Sequence, residues 1–549
     1  MNKFFKNGLF LLAAGALVVS CADYNVTDDF KADPDPTFQE PYKDLGPVKS
    51  YLDRAQYPNL TLGATLKVTD FNKQELAHAA AVTNFDYVAL GTSLMSGTIV
   101  NEKGIMNFLD MSDLLTHVEE IGYEVYGSPL FANANQADGW LKTLTAPIEI
   151  PVDYVEGKEV DFNTLTTFEG TVTKGKASIV KYDDQNVLQI SGATSVNIIE
   201  GFEVDPLAKY TTTFWAKADK EASFTINFSG NKVDGALSEG KWQVKPGKWT
   251  KIVVEAQSAE GVTDGYLTIE TGRGNVLYVQ KVEVGYYPDN HRPQTEQEIT
   301  DTINYAINAW CDGLMKINEG RINAFDLIDE PLDTKSVLDN GMFDLKHSSE
   351  VIFWQDILGS ENYAPVVSNV ARQAYERHGG NNDELRFFIS ESGLDDPQKI
   401  ASLNYWIQIW DAKGAKIDGI NAKLDLSYSE DPDVQASNEA TLLSLLDNLA
   451  ATGKLIRLSN FDIKYKNADG VGVLASAITP AQRQNLANYY SFVIKSYMNK
   501  IPHDKQAGLC KGNLADTSDP VGLWSVDSKS KDWVRTAVYK AFCDALSGK

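Results

Sequence analysis

A parallel (β/α)8 barrel interrupted by an all-β sandwich, an α/β architecture overall, is the fold this sequence predicts, on three observations. Short apolar strands alternate with helices both up to about residue 147 and from about residue 291 onward. Between about 148 and 290 the helical period disappears and alternating apolar and polar residues take over. The chain of 549 residues exceeds what one core organises, and the length outside the β-rich stretch suits eight strands covered by helices.

Residues 1–21, MNKFFKNGLFLLAAGALVVSC, have a basic start at Lys3 and Lys6, an apolar run from Leu9 to Val19, then a small residue and a cysteine. This is the layout of a secretion signal, and the run is too short for a permanent membrane span. Val18-Val19-Ser20-Cys21 resembles the bacterial lipobox, so Cys21 is the expected lipidation site and the outer membrane the expected anchorage. Asp23, Asp28 and Asp29 follow as in surface-export tails of Bacteroides-type lipoproteins. Residues 22–48, rich in Asp, Pro and Lys and without periodicity, read as a flexible tether.

Residues 49–147 form the first part of the expected barrel, 148–290 the sandwich and 291–549 the remainder. In the sandwich TTTFWAKA, SFTINFSG, WTKIVVEA and VLYVQKVEV alternate between Gly, Asp, Asn and Pro-Gly turns. Beyond it, EQEITDTINYAINAWCDGLMKIN sets Ile299, Ile303, Ala306, Ile307, Trp310 and Leu314 on one helical stripe. AFDLI, LRFFIS, AKIDGI and KLIRLSNFDI read as apolar strand segments. Two further helices carry Ile400, Leu403, Ile407 and Trp410, and Leu442, Leu445, Leu446 and Leu449.

Removing the signal's two lysines shifts the formal charge from −25 to −27, since the first twenty residues hold no acid. Such a surface repels phosphate backbones and excludes nucleic acid as a partner class. Beyond Cys21 only Cys311, Cys510 and Cys543 remain, with no ligand spacing, so buried free thiols are expected rather than disulfides or a metal site.

Working residues of such barrels lie at the C-terminal ends of strands. INAFDLIDEPLD ends an apolar run in Asp329 and Glu330, placing two carboxylates where catalysis, or the cap of a following helix, would need them. This pattern resembles glycoside hydrolase family 10, the retaining endo-β-1,4-xylanases. Asp326-Leu327-Ile328-Asp329-Glu330 matches a DVVNE-type strand whose Glu is the general acid/base. Leu458-Ser459-Asn460-Phe461-Asp462 matches an ITELD-type strand whose Glu is the nucleophile. NLTLGATL, GYEVYGSPLFANANQ, FWQDILGSENY, KIDGI, VGLWSVD and AVYKAFCDAL extend the likeness over 51–147 and 291–547.

The resemblance implies that Glu330 holds the acid/base position and Asn460 the nucleophile position, with the Glu replaced. Retaining hydrolysis needs two carboxyls about 5 to 5.5 Å apart, and a neutral amide neither forms the glycosyl ester readily nor offsets oxocarbenium charge. Other family positions depart as well. The ENEMK-like segment falls on Gly91–Met95 and the GHTLVWH-like strand on Gly127–Asn133. The Asn before the acid/base is Asp329, the Gln and His of a GIGTQMH-like strand are Lys423 and Asp425, and the Trp of a GITVW-like strand is Gly512. Asp462 shares a strand side with Asn460 and could supply an anion, though the family keeps an Asp there beside a working nucleophile. Glu330 with Asp425 could run an inverting reaction if about 6.5 to 9.5 Å separated them.

Relatives of this kind carry a carbohydrate-binding sandwich at the position of the insert. Trp242 and Trp249 flank the turn KPGK and are the expected exposed platform, whereas Trp215 is expected in the core. Asp329, Lys423 and Asp425 are expected to bind sugar in the cleft. No cofactor is expected; such sandwiches often hold structural calcium, which the sequence leaves undecided. The expected protein is a lipid-anchored, cell-surface binder of xylan or a related plant polysaccharide, without hydrolytic activity and working beside surface hydrolases and a glycan importer. The competing expectations are an active endo-β-1,4-xylanase with an atypical nucleophile and a scaffold without sugar ligand.

Overall fold

The computed structural model describes residues 42–235, 240–527 and 529–549. The signal segment, Cys21 and the tether up to residue 41 lie outside the described residues. Contacts divide the chain into two compact units, one ending at Thr145 and resuming at Thr295, the other running from Ala146 to Gln294.

Eight parallel strands build the first unit: β1 (Thr61–Thr65), β2 (Tyr87–Ala89), β3 (Glu124–Tyr126), β4 (Ala324–Asp329), β5 (Arg386–Ser392), β6 (Gly419–Lys423), β7 (Leu455–Ser459) and β8 (Gln506–Lys511). Each pairs with the next from β1 to β3 and from β4 to β8, and β8 pairs back onto β1. Closure comes between β3 and β4, where Gly127 bridges Phe325 and the continuation Phe131–Ala132 pairs Ile328–Asp329. A Cβ at Gly127 would lie 2.1 Å from the Phe325 ring, so the seam requires a glycine. This is the expected (β/α)8 barrel. Its strands are short and nearly all buried because helices cover one side and the barrel core fills the other.

The helices lie where apolar periodicity placed them. Glu296–Asn318 starts in a reciprocal capping box between Thr295 and Glu298 and buries Ile303, Ala306, Ile307, Trp310 and Leu314. Pro397–Ala412 buries Ile400, Leu403, Ile407 and Trp410, and Pro432–Ala451 buries Leu442, Leu445, Leu446 and Leu449. Cys311, Cys510 and Cys543 are buried free thiols.

Residues 42–48, expected in the tether, are instead held on this unit. Arg535 donates to the carbonyls of Tyr42, Lys43 and Leu45 at 3.0 to 3.1 Å, and Tyr539 donates to Gly46 O at 2.8 Å. Val48 is fully buried, and its N–H donates to Asn84 at 3.1 Å.

The strands of the second unit pair antiparallel, with one isolated parallel bridge between Ala218 and Pro246 among the described residues. Its ten main strands form one continuous sheet wrapped round one apolar core, rather than two separate sheets. The join is the 19-residue strand Gln185–Glu203, which pairs Val276–Tyr287 through its first half and Asp264–Thr271 through its second. Gly192, at φ 72°, sits between the two halves. Two aromatic assignments are corrected here. Trp242, expected on the surface, is 5% exposed because Trp242–Val244 is a strand whose first and last residues face the core opposite Phe224 and Ala222. Trp215, expected in the core, is 41% exposed: Phe214, Ala216 and Ala218 take the inner face of Lys209–Ala218, and Trp215 therefore points outward.

Candidate active site

Strand β4 delivers Asp329 and Glu330 to the C-terminal end of the barrel. Glu330 leaves the strand in a left-handed conformation, φ 47°, and its N–H donates to Ser390 O at 2.8 Å. Lys423, at the end of β6, reaches across to both acids: it donates to Glu330 Oε1 at 3.2 Å and forms a short ion pair with Asp329. Lys346 stands 4.0 Å from the second Glu330 oxygen, and the Ser390 hydroxyl donates to Asp329 Oδ1 at 2.6 Å.

Burial alone would push the Glu330 carboxyl up, but the ammonium groups of Lys423 and Lys346 outweigh it and hold this acid below the usual carboxylate range. Burial likewise opposes the charge on Lys423, and Asp329 and Glu330 reverse that, raising it above the ordinary lysine value. Glu330 is therefore an anion at neutral pH, paired to a cation. A general acid must carry its proton to the leaving oxygen, and this environment favours the form without one.

Asn460 follows β7 with φ 52°, a left-handed conformation that asparagine tolerates better than most residues. It is exposed, and its Nδ2 donates to Leu424 O at 2.9 Å. Asp462 is not free to replace an anion there. It forms an ion pair with Lys511, whose side chain is 0% exposed, and accepts from Asn513 N at 3.1 Å and Asn513 Nδ2 at 2.6 Å. A Cβ at Gly512 would lie 2.5 Å from Asp462 Oδ2 and 3.2 Å from Asn460 Oδ1, so no larger residue fits at that point without displacing these groups.

Asp425 is not joined to Glu330 by a hydrogen bond or an ion pair. Its side chain is 85% exposed and pairs with Lys464 at 3.2 Å. The two sit where β6 and β7 continue into a parallel ribbon, Leu426–Ser429 beside Ile463–Lys466. Asn133 is engaged by Gln355, which donates to its Oδ1 at 3.1 Å. In the second unit, Trp249 is half-buried beside Tyr182 and Lys217, whereas Trp242 belongs to the core.

Three contributors were not singled out from the sequence: Lys346, Lys511, and the buried pair of Glu391 with Lys399 at 2.9 Å. The strand-end position of Glu391 in LRFFISES was a usable signal; the lysines gave none, because each reaches its acid from another segment. Among the described residues no group of three or more His, Cys, Asp or Glu could hold a metal ion.

Residues 288–518 match the model of glycosyl hydrolase family 10. No curated protein matches the chain in sequence. Among solved structures, xylanase B from Clostridium stercorarium F9 is similar in fold at 11% identity, with 91% of this chain and 100% of that one covered and a TM-score of 0.51. A GH10 endoxylanase retrieved from a sugarcane soil metagenome gives 9% identity, 91% and 100% coverage and 0.51. Xylanase XynB from Paenibacillus barcinonensis gives 9%, 91%, 98% and 0.50. The matched segment 288–518 contains five of the eight barrel strands, and over these residues the chain is similar to glycosyl hydrolase family 10.

Proposed function

We propose that this protein binds β-1,4-xylan or a related plant polysaccharide on a glycosyl hydrolase family 10 scaffold and does not hydrolyse it. One observation carries the reading. The two positions that should hold a proton donor and an anionic nucleophile hold a lysine-paired carboxylate, Glu330, and an amide, Asn460. The family domain supports a xylan-type ligand. The lipobox-like Val18–Cys21 supports a lipid anchor at the outer membrane. There, binding without turnover would hold polymer near separate hydrolases and an importer, and two weak sites on one body would gain from effective concentration.

Purified protein incubated with xylan should release no reducing ends above a no-enzyme control, yet be retarded in native gels containing xylan or arabinoxylan. Turnover that disappears in Glu330→Gln would replace this reading with an active endo-β-1,4-xylanase using an atypical nucleophile. Absence of retardation by xylan, arabinoxylan, mannan and glucan alike would leave only a scaffold.

A further inference from the structure

We propose that the outward face of the sheet around strand Lys209–Ala218 is an open track for an extended, uncharged β-1,4-linked polysaccharide. The proposal rests on the glycan-binding reading above and deepens it by naming the surface. Along this strand the even-numbered residues fill the core and the odd-numbered ones point out. Neighbours in register share that face. Lys251 lies beside Trp215; Val253 and Glu283 flank Thr213; Glu255 and Gly285 flank Thr211; and Tyr287 lies beside Lys209.

Aromatic rings occupy three stations on this face. Trp215, 41% exposed, stands between the other two, nearer the Lys217 end. Near Lys209, Tyr287 and Tyr154 are 46% and 44% exposed and meet edge to face at 5.2 Å. A Cβ at Gly285 would lie 2.1 Å from the Tyr154 hydroxyl, so the glycine is what lets that ring lie against the strand. At the Lys217 end, Tyr182 packs on Tyr278 at 4.1 Å, and Trp249 stands 6.4 Å from Tyr182. The Lys217 ammonium lies 4.8 Å from the Tyr182 ring centre, and both tyrosine hydroxyls donate to Asp219 at 2.9 Å. Eight strand steps separate Lys209 from Lys217, about 26 Å, room for several consecutive sugars.

The chemistry between the stations selects the occupant. Thr211, Thr213, Lys251, Glu255 and Glu283 interrupt the rings with hydrogen-bonding groups of both charge signs. Val253, 44% exposed beside Thr213, adds an apolar side chain to this face, and the mixed charge gives no field for a polyanion. Rings with polar side chains between them match a polymer whose apolar C–H faces recur along the chain while its hydroxyls point to the sides.

The test uses the full chain in native gels and titration calorimetry with soluble arabinoxylan, and with mannan and glucan in parallel. Trp215→Ala combined with Tyr287→Ala should weaken binding by about tenfold or more, as central aromatic anchors do. Trp215→Phe should retain most of it, and Val337→Ala, an exposed apolar residue on the barrel unit, should change nothing. Both altered rings are exposed, so circular dichroism and the urea midpoint should match the unaltered protein and exclude misfolding. Retardation of the double variant equal to that of the unaltered protein would overturn this inference and leave the proposed function standing. Failure of the unaltered protein to bind any of the glycans would overturn both.

Discussion

Asp462 decides whether this barrel retains a spare nucleophile or has built that acid into its framework. Its carboxylate lies against Lys511, a side chain with no solvent exposure, and accepts two further hydrogen bonds from Asn513. Burial drives the Lys511 amine well below its ordinary range, opposed by the charge of Asp516, and the Asp462 carboxylate lies in direct contact with it. For an ion pair in contact at an effective dielectric of about 20, the Coulomb attraction is on the order of 4–5 kcal/mol. Breaking a buried pair from one side costs about 3–5 kcal/mol, a large share of the ~5–15 kcal/mol that holds a domain folded. Asp462→Asn should therefore destabilise the barrel by about 3–5 kcal/mol, read as a shift in urea unfolding followed by the helical circular dichroism signal. The sign of the pH dependence follows. Because the folded state holds Lys511 less protonated than the unfolded state does, stability should rise with pH until the unfolded lysine value near 10.4 is reached, already in the unaltered protein and also in the variant. Asp462→Leu combined with Lys511→Met should recover most of the loss, since an apolar pair of similar volume replaces a buried ion pair at little cost. A stability loss below about 1 kcal/mol in Asp462→Asn, or single losses that simply add in the double variant, would refute the reasoning. Asp462 would then again be a candidate nucleophile.

The remaining predictions concern other links in the same chain of argument. Asn460→Glu should not create xylan hydrolysis, because Glu330 stays paired with Lys423, and it should cost about 1–2 kcal/mol by placing a longer side chain at φ 52°; reducing-end release and urea unfolding check both halves. Trp242→Ala should destabilise the second unit by about 3–5 kcal/mol through a core cavity, whereas Trp215→Ala should change its stability by less than about 1 kcal/mol, measured by thermal unfolding. His78, half-buried with its Nε2 2.9 Å from that of His117, is held down to about 4 by burial and then by its neighbour. The unfolded state takes up that proton near 6.5 and the folded state near 4, so stability should fall as pH drops between these values. With solvent screening the loss is about 1–2 kcal/mol, and it should be absent in His78→Gln, in urea unfolding at pH 7 and pH 4.5.

The sequence and the structure agree where periodicity has one solution. The stripe from Ile303 to Leu314 can be buried only as a helix, and it is. Alternation in TTTFWAKA correctly identifies a strand, but two large rings stand side by side, so period alone leaves its phase open. The phase is set by the small residues: Thr212, Ala216 and Ala218 fit the crowded inner face with Phe214, and Trp215 is left outside. Trp242 fails differently, because the turn KPGK begins only after Val244, which leaves the tryptophan inside a strand facing Phe224. In the candidate site, the amide at the proposed nucleophile position can be read directly from Asn460. The state of Glu330 cannot, because it is set by Lys423, 93 residues further along the chain, and by Lys346 from a neighbouring loop. Charge pairing across strand ends depends on side-chain reach between βα loops, which local sequence does not encode.

That cross-strand pairing gives the barrel mouth its character. At the end of β4, Asp329 and Glu330 share Lys423; at the end of β5, Glu391 holds Lys399; beyond β7, Asp462 holds Lys511. A retaining hydrolase needs the opposite arrangement, one carboxyl kept protonated and another kept anionic without a tight counter-charge, so that both respond to the transition state rather than to each other. Such an arrangement stores electrostatic strain, and relieving it stabilises a protein at the expense of activity. The acids at this mouth are instead paired with lysines, Asp329 and Glu330 with the same Lys423, although burial still pushes the Glu391 carboxyl up despite Lys399. On the proposed reading, turnover would require more than Asn460→Glu: Lys423 would also have to lose its charge so that Glu330 could hold a proton near neutral pH. With Lys423→Gln added to Asn460→Glu, reducing-end release from xylan should remain below detection unless Lys346, the second cation beside Glu330, is neutralised as well. Turnover in the single Asn460→Glu variant would show that the lysines do not control the acid.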